Sequence, residues 1–476
     1  MYSLFKICIN IAHVLALVFL TGCAASSTFT PYPDKIQPLI NSLSNRTLLD
    51  TSKTLQSESK GKDQILYNME LGRYSQLTGD ISNSMSDFSR SIEKNRENDE
   101  KSLISASGVG SNLAAIIVND NAIPYEAEGY ERVLLHHYQA LNYLRKNDLE
   151  GAGVEVRRAN SEQNDSLKRF EKELLKSEKE AADKRVDSNN VSNIASKYAQ
   201  MDEVAGRVKN SFQNAYTFYI SAFIYELLKQ PNDAYIDYKK ALEIYPENRY
   251  LQKDVLRLAK ILDMREELDE LKKRFSIEEH QFDIVSEETG ELLVIFEDGF
   301  APRKHEIKIP IPAGRGGIVT IAFPIYQEKW SNQLPLHIFN NNSELGSTEP
   351  ICDIRALAVK ALEEKIPMIA VRQIIRAVAK GVTSAEAKKR AGDLGELAAI
   401  LWNIVSESAD LRSWLTLPSN AQILRTNLPT GSYRLNLKHP MTDGAAHLDL
   451  NVTPESKSIL FVNRAGRQLY SSVMQF

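Results

Sequence analysis

The chain contains 476 residues, of which 58 are Lys or Arg and 62 are Asp or Glu, so its formal net charge is −4. A domain that binds nucleic acid usually carries a clear basic excess, so this balance excludes nucleic acid as a main partner. The 43% of hydrophobic and 25% of charged residues exclude global disorder, and three cysteines are too few for a disulfide scaffold.

The first 22 residues (1–22) have the pattern of a lipoprotein signal peptide. Lys6 is followed by an apolar run over residues 7–20, which is too short to cross a bilayer core of about 30 Å as a helix. Leu20-Thr21-Gly22-Cys23 then resembles a bacterial lipobox, in which the cysteine becomes the lipidated N-terminus. We therefore predict cleavage before Cys23 and acylation of that residue. The alternative is an ordinary signal peptide followed by an incidental cysteine.

The residue after the lipidation site predicts the location of the mature protein. Ala24, and not Asp, follows Cys23, and in Gram-negative lipoproteins this resemblance implies an outer-membrane anchor facing the periplasm. Cys8 lies in the segment that is removed, so the mature chain keeps only Cys23 and Cys352 and no intramolecular disulfide is expected. More than one acyl chain is enough to anchor a protein stably.

The periodicity of apolar residues divides the mature chain. Residues 23–45 are rich in Ser, Thr and Pro and are predicted to be a tether. Residues 46–277 show a helical period, and from about residue 281 the period changes from 3.6 to 2 residues. The predicted fold class is therefore α+β multidomain, with a helical domain followed by a β-rich domain over 281–476.

Three stretches of the helical half, 68–91, 136–159 and 216–246, match the pattern of a tetratricopeptide repeat. In this repeat, small residues let two antiparallel helices approach and an aromatic residue fills the neighbouring gap. The residues predicted to make this packing are Gly72, Ser84, Phe88, Ala140, Ala152, Ala159, Ala222, Ala234, Tyr238 and Ala241. A generic helical bundle is the alternative. Residues 161–210, rich in Glu and Lys, are predicted to form a charged helical excursion between repeats.

The second half is predicted to contain nine strands around a helical insert. The strands are expected at 291–297, 304–311, 317–326, 334–340, 421–427, 432–438, 446–452, 457–463 and 467–475. The insert, about 351–416, is predicted to hold three helices, the first stopped by Pro367 and the second ended by Gly381. Strands from both sides of the insert would then form a β-sandwich.

Three sequence signatures extend over nearly the whole mature chain. The first comprises Asn119-Asp120, Tyr125, Tyr130-Glu131-Arg132-Val133-Leu134, Ala140-Leu141-Asn142-Tyr143-Leu144 and Val154-Glu155-Val156-Arg157-Arg158-Ala159. The second comprises Gly299, Ala301-Pro302, Lys304 and Pro324-Ile325-Tyr326. The third comprises Arg372, Arg376-Ala377, Lys380, Ala409-Asp410-Leu411-Arg412-Ser413-Trp414, Leu417-Pro418, Arg425 and Leu428-Pro429-Thr430-Gly431.

On these signatures the chain resembles a family of Gram-negative outer-membrane lipoproteins that contain tetratricopeptide repeats. The resemblance implies the location and the architecture, and it implies a role in the cell envelope without an established catalytic activity. The chain departs from the family at Gly153, where a larger and basic residue would be expected.

A search for catalytic and metal-binding patterns predicts neither a catalytic constellation nor a cofactor. His136 and His137 are adjacent, but neighbouring residues of a helix point about 100° apart and cannot easily share one ion. Ser-x-x-Lys occurs at residues 57–60 and 91–94 without the partner motifs that penicillin-binding enzymes require. Cys352 has no histidine partner that would activate its thiol, and a small buried residue is the preferred interpretation.

Two features are candidates for binding. The first is the concave face of the repeat domain, which in this architecture usually holds a peptide or a helix of a partner. The second is a basic stripe, Arg372, Arg376 and Lys380, spaced by four on one helical face. The stripe would meet anionic groups or an acidic partner, or else pair internally with Glu407, Asp410 or a similar carboxylate.

Together these patterns predict a non-enzymatic, lipid-anchored outer-membrane protein that acts as a scaffold or adaptor in the cell envelope. The expected partners are the membrane, through the lipid on Cys23, and a periplasmic or outer-membrane protein. The rival hypotheses are an enzyme that acts on peptidoglycan and a structural subunit of a secretion or motility assembly.

Overall fold

A helical first part and a β-rich second part make up the described chain, so the predicted α+β order is confirmed. The computed structural model describes residues 30–47, 49–50, 55–105, 120–279, 282, 288–312, 318–327, 332–406 and 408–476. The predicted signal peptide and the predicted lipidation site Cys23 lie outside the described residues. The predictions made for them therefore remain predictions.

The described residues contain twelve α-helices. They are α1 (Tyr32–Asn45), α2 (Gln64–Thr78), α3 (Ile81–Ser105), α4 (Gly129–Arg145), α5 (Leu149–Asp183), α6 (Ser188–Ala195), α7 (Asp202–Ala205), α8 (Ala215–Leu227), α9 (Pro231–Ile244), α10 (Arg249–Ile261), α11 (Arg265–Phe275) and α12 (Ile354–Ser406). Short 3₁₀ turns lie at Glu58–Lys60, Asp120–Ala122 and Ser196–Met201. The predicted excursion over 161–210 is the second half of the long helix α5 followed by the short helices α6 and α7.

Four antiparallel hairpins, α2–α3, α4–α5, α8–α9 and α10–α11, form an array of helices. One residue of each short loop has a left-handed backbone: Gly79, Asn147, Lys229 and Asp263. At the first loop, the N–H groups of Gly79 and Asp80 donate to the carbonyls of Gln76 and Ser75, which ends α2. The first three hairpins coincide with the predicted repeats, and the fourth is an addition that the repeat pattern does not predict.

The small residues of the repeat pattern lie where the helices touch. Gly72 is buried, and Ser84, Phe88, Ala140, Ala152, Ala159, Ala222, Ala234, Tyr238 and Ala241 are all fully buried. A Cβ atom at Gly72 would lie 2.5 Å from the ring of Phe88, so only glycine permits this approach. At Gly153, a Cβ atom would lie 2.8 Å from the end of the half-buried Leu228 side chain, so a larger residue there would require that side chain to shift.

The predicted tether over 23–45 is wrong from residue 32 onward. Residues 32–45 form α1, and its apolar face, with Ile36 and Leu39, is almost fully buried against the array. The proline-rich composition misleads because Pro33 occupies the first turn of the helix, where a missing N–H costs nothing. Helix α1, which is packed into the fold, therefore begins nine residues after Cys23.

The described part of the β-rich half contains eleven strands in three sheets. The strands are β1 (Thr289–Asp298), β2 (His305–Pro312), β3 (Ile318–Ile325), β4 (His337–Asn340), β5 (Ser343–Ser347), β6 (Glu349–Asp353), β7 (Asn420–Pro429), β8 (Gly431–Lys438), β9 (Ala446–Val452), β10 (Lys457–Ala465) and β11 (Gln468–Gln475). Nine of them are the predicted strands. β5 and β6 are only five residues long and lack a clear alternation of apolar residues, so the pattern does not predict them.

A five-stranded sheet, ordered β11-β10-β1-β7-β6, is buried on both faces. β1 lies at its centre, parallel to β10 and antiparallel to β7. On one face, Leu292 and Val294 share an apolar cluster with Leu435 and Leu450 of the four-stranded sheet β5-β4-β8-β9. The opposite face packs on the helices, and its residues belong to the same apolar cluster as the array. The change of period near residue 280 is therefore a change of secondary structure within one continuous core.

The helical insert is one helix and not three. α12 runs without interruption from Ile354 to Ser406 and contains both Pro367 and Gly381, so the two predicted stops are wrong. Tertiary packing explains the continuity around Pro367, because Ile366 and Met368 beside it are buried. No helix in the described part of the chain is both long and apolar enough to cross a membrane.

Candidate functional site: a covered face and an open groove

The first helices of three hairpins converge on one acidic side chain of the central strand. Glu297 of β1 accepts hydrogen bonds from Tyr138 of α4 and Tyr216 of α8, each with an O···O distance of 2.9 Å. Arg73 of α2 forms an ion pair with the same carboxylate and also donates to Asn463 of β10 at 2.8 Å. These groups are buried, so β1 is bound along the array from the first hairpin to the third.

A second buried network joins β1 to the later hairpins. It contains the carboxylates of Glu226, Asp254 and Glu291 and the cations of Arg257, Arg425 and Lys457. Arg425 is central, because its guanidinium lies 2.7–3.0 Å from all three carboxylates. Burial by itself would raise the pKa of Glu226, but the surrounding cations Arg257, Arg425 and Lys457 hold it well below its usual value. The six charges balance, as buried charges must.

These contacts concern the concave face of the repeat domain, which was predicted to bind a partner. The side of the array formed by α2, α4 and α8 is where a repeat protein of the predicted kind would present its concave face. Here that side lies against the five-stranded sheet of the same chain, with Tyr138 and Tyr216 fully buried. The prediction that this face holds a partner is wrong, because an internal sheet already occupies it.

The segment between α12 and β7, residues 409–417, is bound to the array by two buried carboxylates. Glu131 of α4 accepts the N–H of Trp414 at 2.8 Å. Glu70 of α2 accepts the N–H groups of Leu415 and Thr416 at 2.7 and 2.9 Å, and Tyr32 donates to it at 2.9 Å. Burial raises the pKa of Glu70 to about 7, although the hydrogen bonds from Thr416, Leu415 and Tyr32 act in the opposite direction.

This pKa shift predicts a component of stability that falls as the pH rises. Between about pH 4.5 and 7, folded Glu70 retains a proton that the unfolded chain has released. The free energy of unfolding of wild type, relative to that of Glu70→Gln, is therefore expected to fall by about 3 kcal/mol over this window. Urea denaturation of both proteins at several pH values measures the difference. Glu266→Gln, which changes an exposed carboxyl of α11, is the control, and a difference that stays constant with pH would contradict the prediction.

The predicted basic stripe is mostly internal. Arg376 is 1% exposed and pairs with Asp120 at 2.6 Å, Lys380 is also buried, and Arg372 lies 3.8 Å from the same Asp120. Internal pairing with a carboxylate therefore holds for Arg376, and its partner is Asp120 rather than Glu407 or Asp410. Glu407 lies outside the described residues, and Asp410 pairs with Arg412 at 2.7 Å. No local pattern indicates Asp120, since it is 256 residues away from Arg376 in the sequence.

Among the side chains considered for catalysis, Cys352, His137 and Ser91 are buried, and His136 is paired with a carboxylate. Cys352 is buried, and burial raises the pKa of its thiol well above the usual value, which disfavours the nucleophilic thiolate. His136 lies 2.7 Å from Glu155, whereas burial and the charge of Arg73 lower the pKa of His137 to about 3. Ser91 is buried and donates to a backbone carbonyl at 2.8 Å. Within the described ranges, no three His, Cys, Asp or Glu side chains are grouped as metal ligands.

An open groove lies on the other side of the array, between α3, α4 and α5. At 100° per residue, His136 in this groove and Tyr138 against the sheet point about 160° apart on α4. The groove has a volume of about 330 Å³ and is lined by Ile92, Glu93, Asn95, Arg96, Asp99, Arg132, Leu135, His136, Arg158, Ser161, Glu162 and Asp165. We call it the α3–α5 groove.

Charged side chains of both signs surround the α3–α5 groove. At its floor, Arg132 is 11% exposed and pairs with Asp99 and with Glu162, the latter at 2.7 Å. Arg96 and Arg158 at its rim have side chains that are 61% and 56% exposed. The paired floor is therefore fixed, while the rim presents accessible cations beside accessible carboxylates.

Comparisons with known proteins find no matching family model, no matching curated protein and no matching solved structure. The family resemblance drawn from the three sequence signatures therefore remains a prediction.

Proposed function

We propose that the chain is a lipid-anchored protein of the outer membrane that faces the periplasm and acts as an adaptor for an envelope protein. The observation that carries the adaptor role is the contrast between the two sides of the array. One side is bound to the internal sheet, whereas the α3–α5 groove on the other side is open and ringed by charges. Polar grooves of this kind are suited to a hydrophilic segment of a partner with charges of both signs.

The finer fold proposed is a tetratricopeptide-like array attached to a β-sandwich. The buried small residues and the close approach of Gly72 to Phe88 support the first part of this proposal. The apolar cluster shared by the five-stranded and four-stranded sheets supports the second part. The repeats differ from a peptide-binding array because the five-stranded sheet covers the first helix of each of the first three hairpins.

The membrane anchor is tested at the predicted lipidation site. Cys23→Ser removes the thiol that would be acylated, so we expect an unprocessed precursor that no longer fractionates with the outer membrane. Cys8→Ser is the matched control, because that cysteine lies in the predicted signal segment and its loss should change nothing. Cell fractionation and the mass of the purified protein measure the result. Retention of Cys23→Ser in the outer membrane would contradict the anchor.

The adaptor role is tested by photocrosslinking in cells. A photoreactive residue at Arg96, on the rim of the α3–α5 groove, is expected to give a protein adduct of defined mass. The same residue at Arg265, which is 83% exposed on the last hairpin, should not give that adduct. Arg158→Gln should weaken the adduct from position 96, while Arg265→Gln should not. Adducts with lipid or with the chain itself alone would contradict the proposal.

A further inference from the structure

The lipid anchor and the folded chain are separated by very little sequence. Tyr32 is the first residue of α1, is 8% exposed and donates a hydrogen bond to buried Glu70. Only residues 24–31 therefore lie between Cys23 and the fold. Eight residues span at most about 30 Å even when fully extended. A lipid on Cys23 thus holds the N-terminal end of α1 within that distance of the bilayer.

Three segments meet at this end of the molecule. Arg303, just before β2, lies 3.9 Å from Asp34 in the first turn of α1. Lys35 of the same turn lies 3.9 Å from Glu58 in the 3₁₀ turn before α2. We call the surface formed by residues 31–35, 58–62 and 303–308 the basic end.

The basic end differs in charge from the chain as a whole. Its three segments contain six cations, Lys35, Lys60, Lys62, Arg303, Lys304 and Lys308, and three carboxylates, Asp34, Glu58 and Glu306. The entire chain, in contrast, has a net charge of −4. Lys60 and Lys62 are exposed, and Arg303 and Lys308 have side chains that are 46% and 57% exposed. A local excess of exposed cations is therefore placed next to the anchored end of the fold.

We infer that the basic end faces the membrane and contacts anionic lipid headgroups. Each cation near an anionic bilayer adds to the attraction, and the attraction falls off within a Debye length of about 8 Å. The connection to Cys23 spans at most about 30 Å, so the basic end stays near the bilayer and can approach it to within this range. The inference rests on the proposed lipid anchor and adds an orientation to it: the membrane lies at the first turn of α1.

The test uses the full acylated chain in vesicles of phosphatidylethanolamine with or without phosphatidylglycerol. A fluorophore is attached to Ser57→Cys, directly before the 58–62 segment of the basic end, or to Ser276→Cys after α11, both of which are exposed positions. Headgroup spin labels are expected to quench the fluorophore at position 57 in the anionic vesicles and to leave the one at position 276 bright. Equal quenching at the two positions would overturn the orientation.

Charge reversal separates the lipid contact from the anchor. Lys60→Glu with Arg303→Glu and Lys308→Glu should abolish the difference in quenching between the two vesicle compositions. Reversal of Arg265, Lys273 and Arg274 on α11 makes the same change in net charge and should preserve it. Quenching at position 57 that is unaffected by the first reversal would overturn the headgroup contact. The mass of each protein reports acylation separately, and a chain without acyl groups would overturn the anchor and this inference together.

Discussion

Replacement of Arg425 by methionine is expected to lower the free energy of unfolding by about 3–5 kcal/mol, because it leaves buried carboxylates without their shared cation. The guanidinium of Arg425 lies 2.7 Å from Glu291, 2.9 Å from Asp254 and 3.0 Å from Glu226. After its removal, two cations would remain for three buried carboxylates. The nearest remaining cation to Glu291 would be Lys457, at 3.6 Å.

Chemical denaturation followed by circular dichroism measures this loss. Arg265→Met, at a side chain that is 83% exposed, is the control and should change the free energy of unfolding by less than about 0.5 kcal/mol. The double variant Glu291→Met with Arg425→Met removes one charge of each sign and should be less destabilised than Arg425→Met alone. If the single and double variants unfold at the same denaturant concentration, uncompensated charge is not the cause of the loss.

Replacement of Trp414 by alanine is expected to lower the free energy of unfolding by a similar amount, about 3–5 kcal/mol, because it leaves a cavity beneath the 409–417 segment. The indole is fully buried, with its ring centre 5.9 Å from that of Phe88 and 5.8 Å from that of Tyr138. It therefore joins the first two hairpins to the segment that enters β7.

The variant Trp414→Phe makes a smaller truncation of the same side chain. It retains one aromatic ring and loses the rest of the indole, including the N–H that donates to Thr416 at 3.0 Å. We therefore expect it to keep most of the stability that the alanine variant loses. The midpoint of urea denaturation measures both variants. An unchanged midpoint for Trp414→Ala would show that the 409–417 segment does not contribute to the shared core.

The helical hairpins and most of the strands could be predicted because their signals are local. The spacing of Ala234, Tyr238 and Ala241 lies within two turns of one helix, and the alternation of Leu448, Leu450 and Val452 lies within one strand. The errors occur where local composition and packing disagree. Pro33 and Pro367 both lie in helices, because one occupies a first turn and the other is held by buried neighbours.

The candidate site was harder to predict from the sequence, and the basic stripe shows why. Arg372, Arg376 and Lys380 have the spacing of one helical face, but spacing cannot say what that face contacts. The contact partner of Arg376 is Asp120, which lies in a distant part of the chain, so this face of the helix is internal. The α3–α5 groove could not be predicted for the same reason. Its walls come from three helices whose faces become neighbours only after the hairpins pack.

The sequence by itself determined most of the type and order of the secondary structure, because helical and strand periods are properties of neighbouring residues. The tertiary structure alone decided which surfaces are free. The ion pairs that close one side of the array join residues 224 and 199 positions apart, Arg73 with Glu297 and Arg425 with Glu226. A buried charge needs a compensating charge or hydrogen bonds, and the fold, rather than the local pattern, brings such distant partners together.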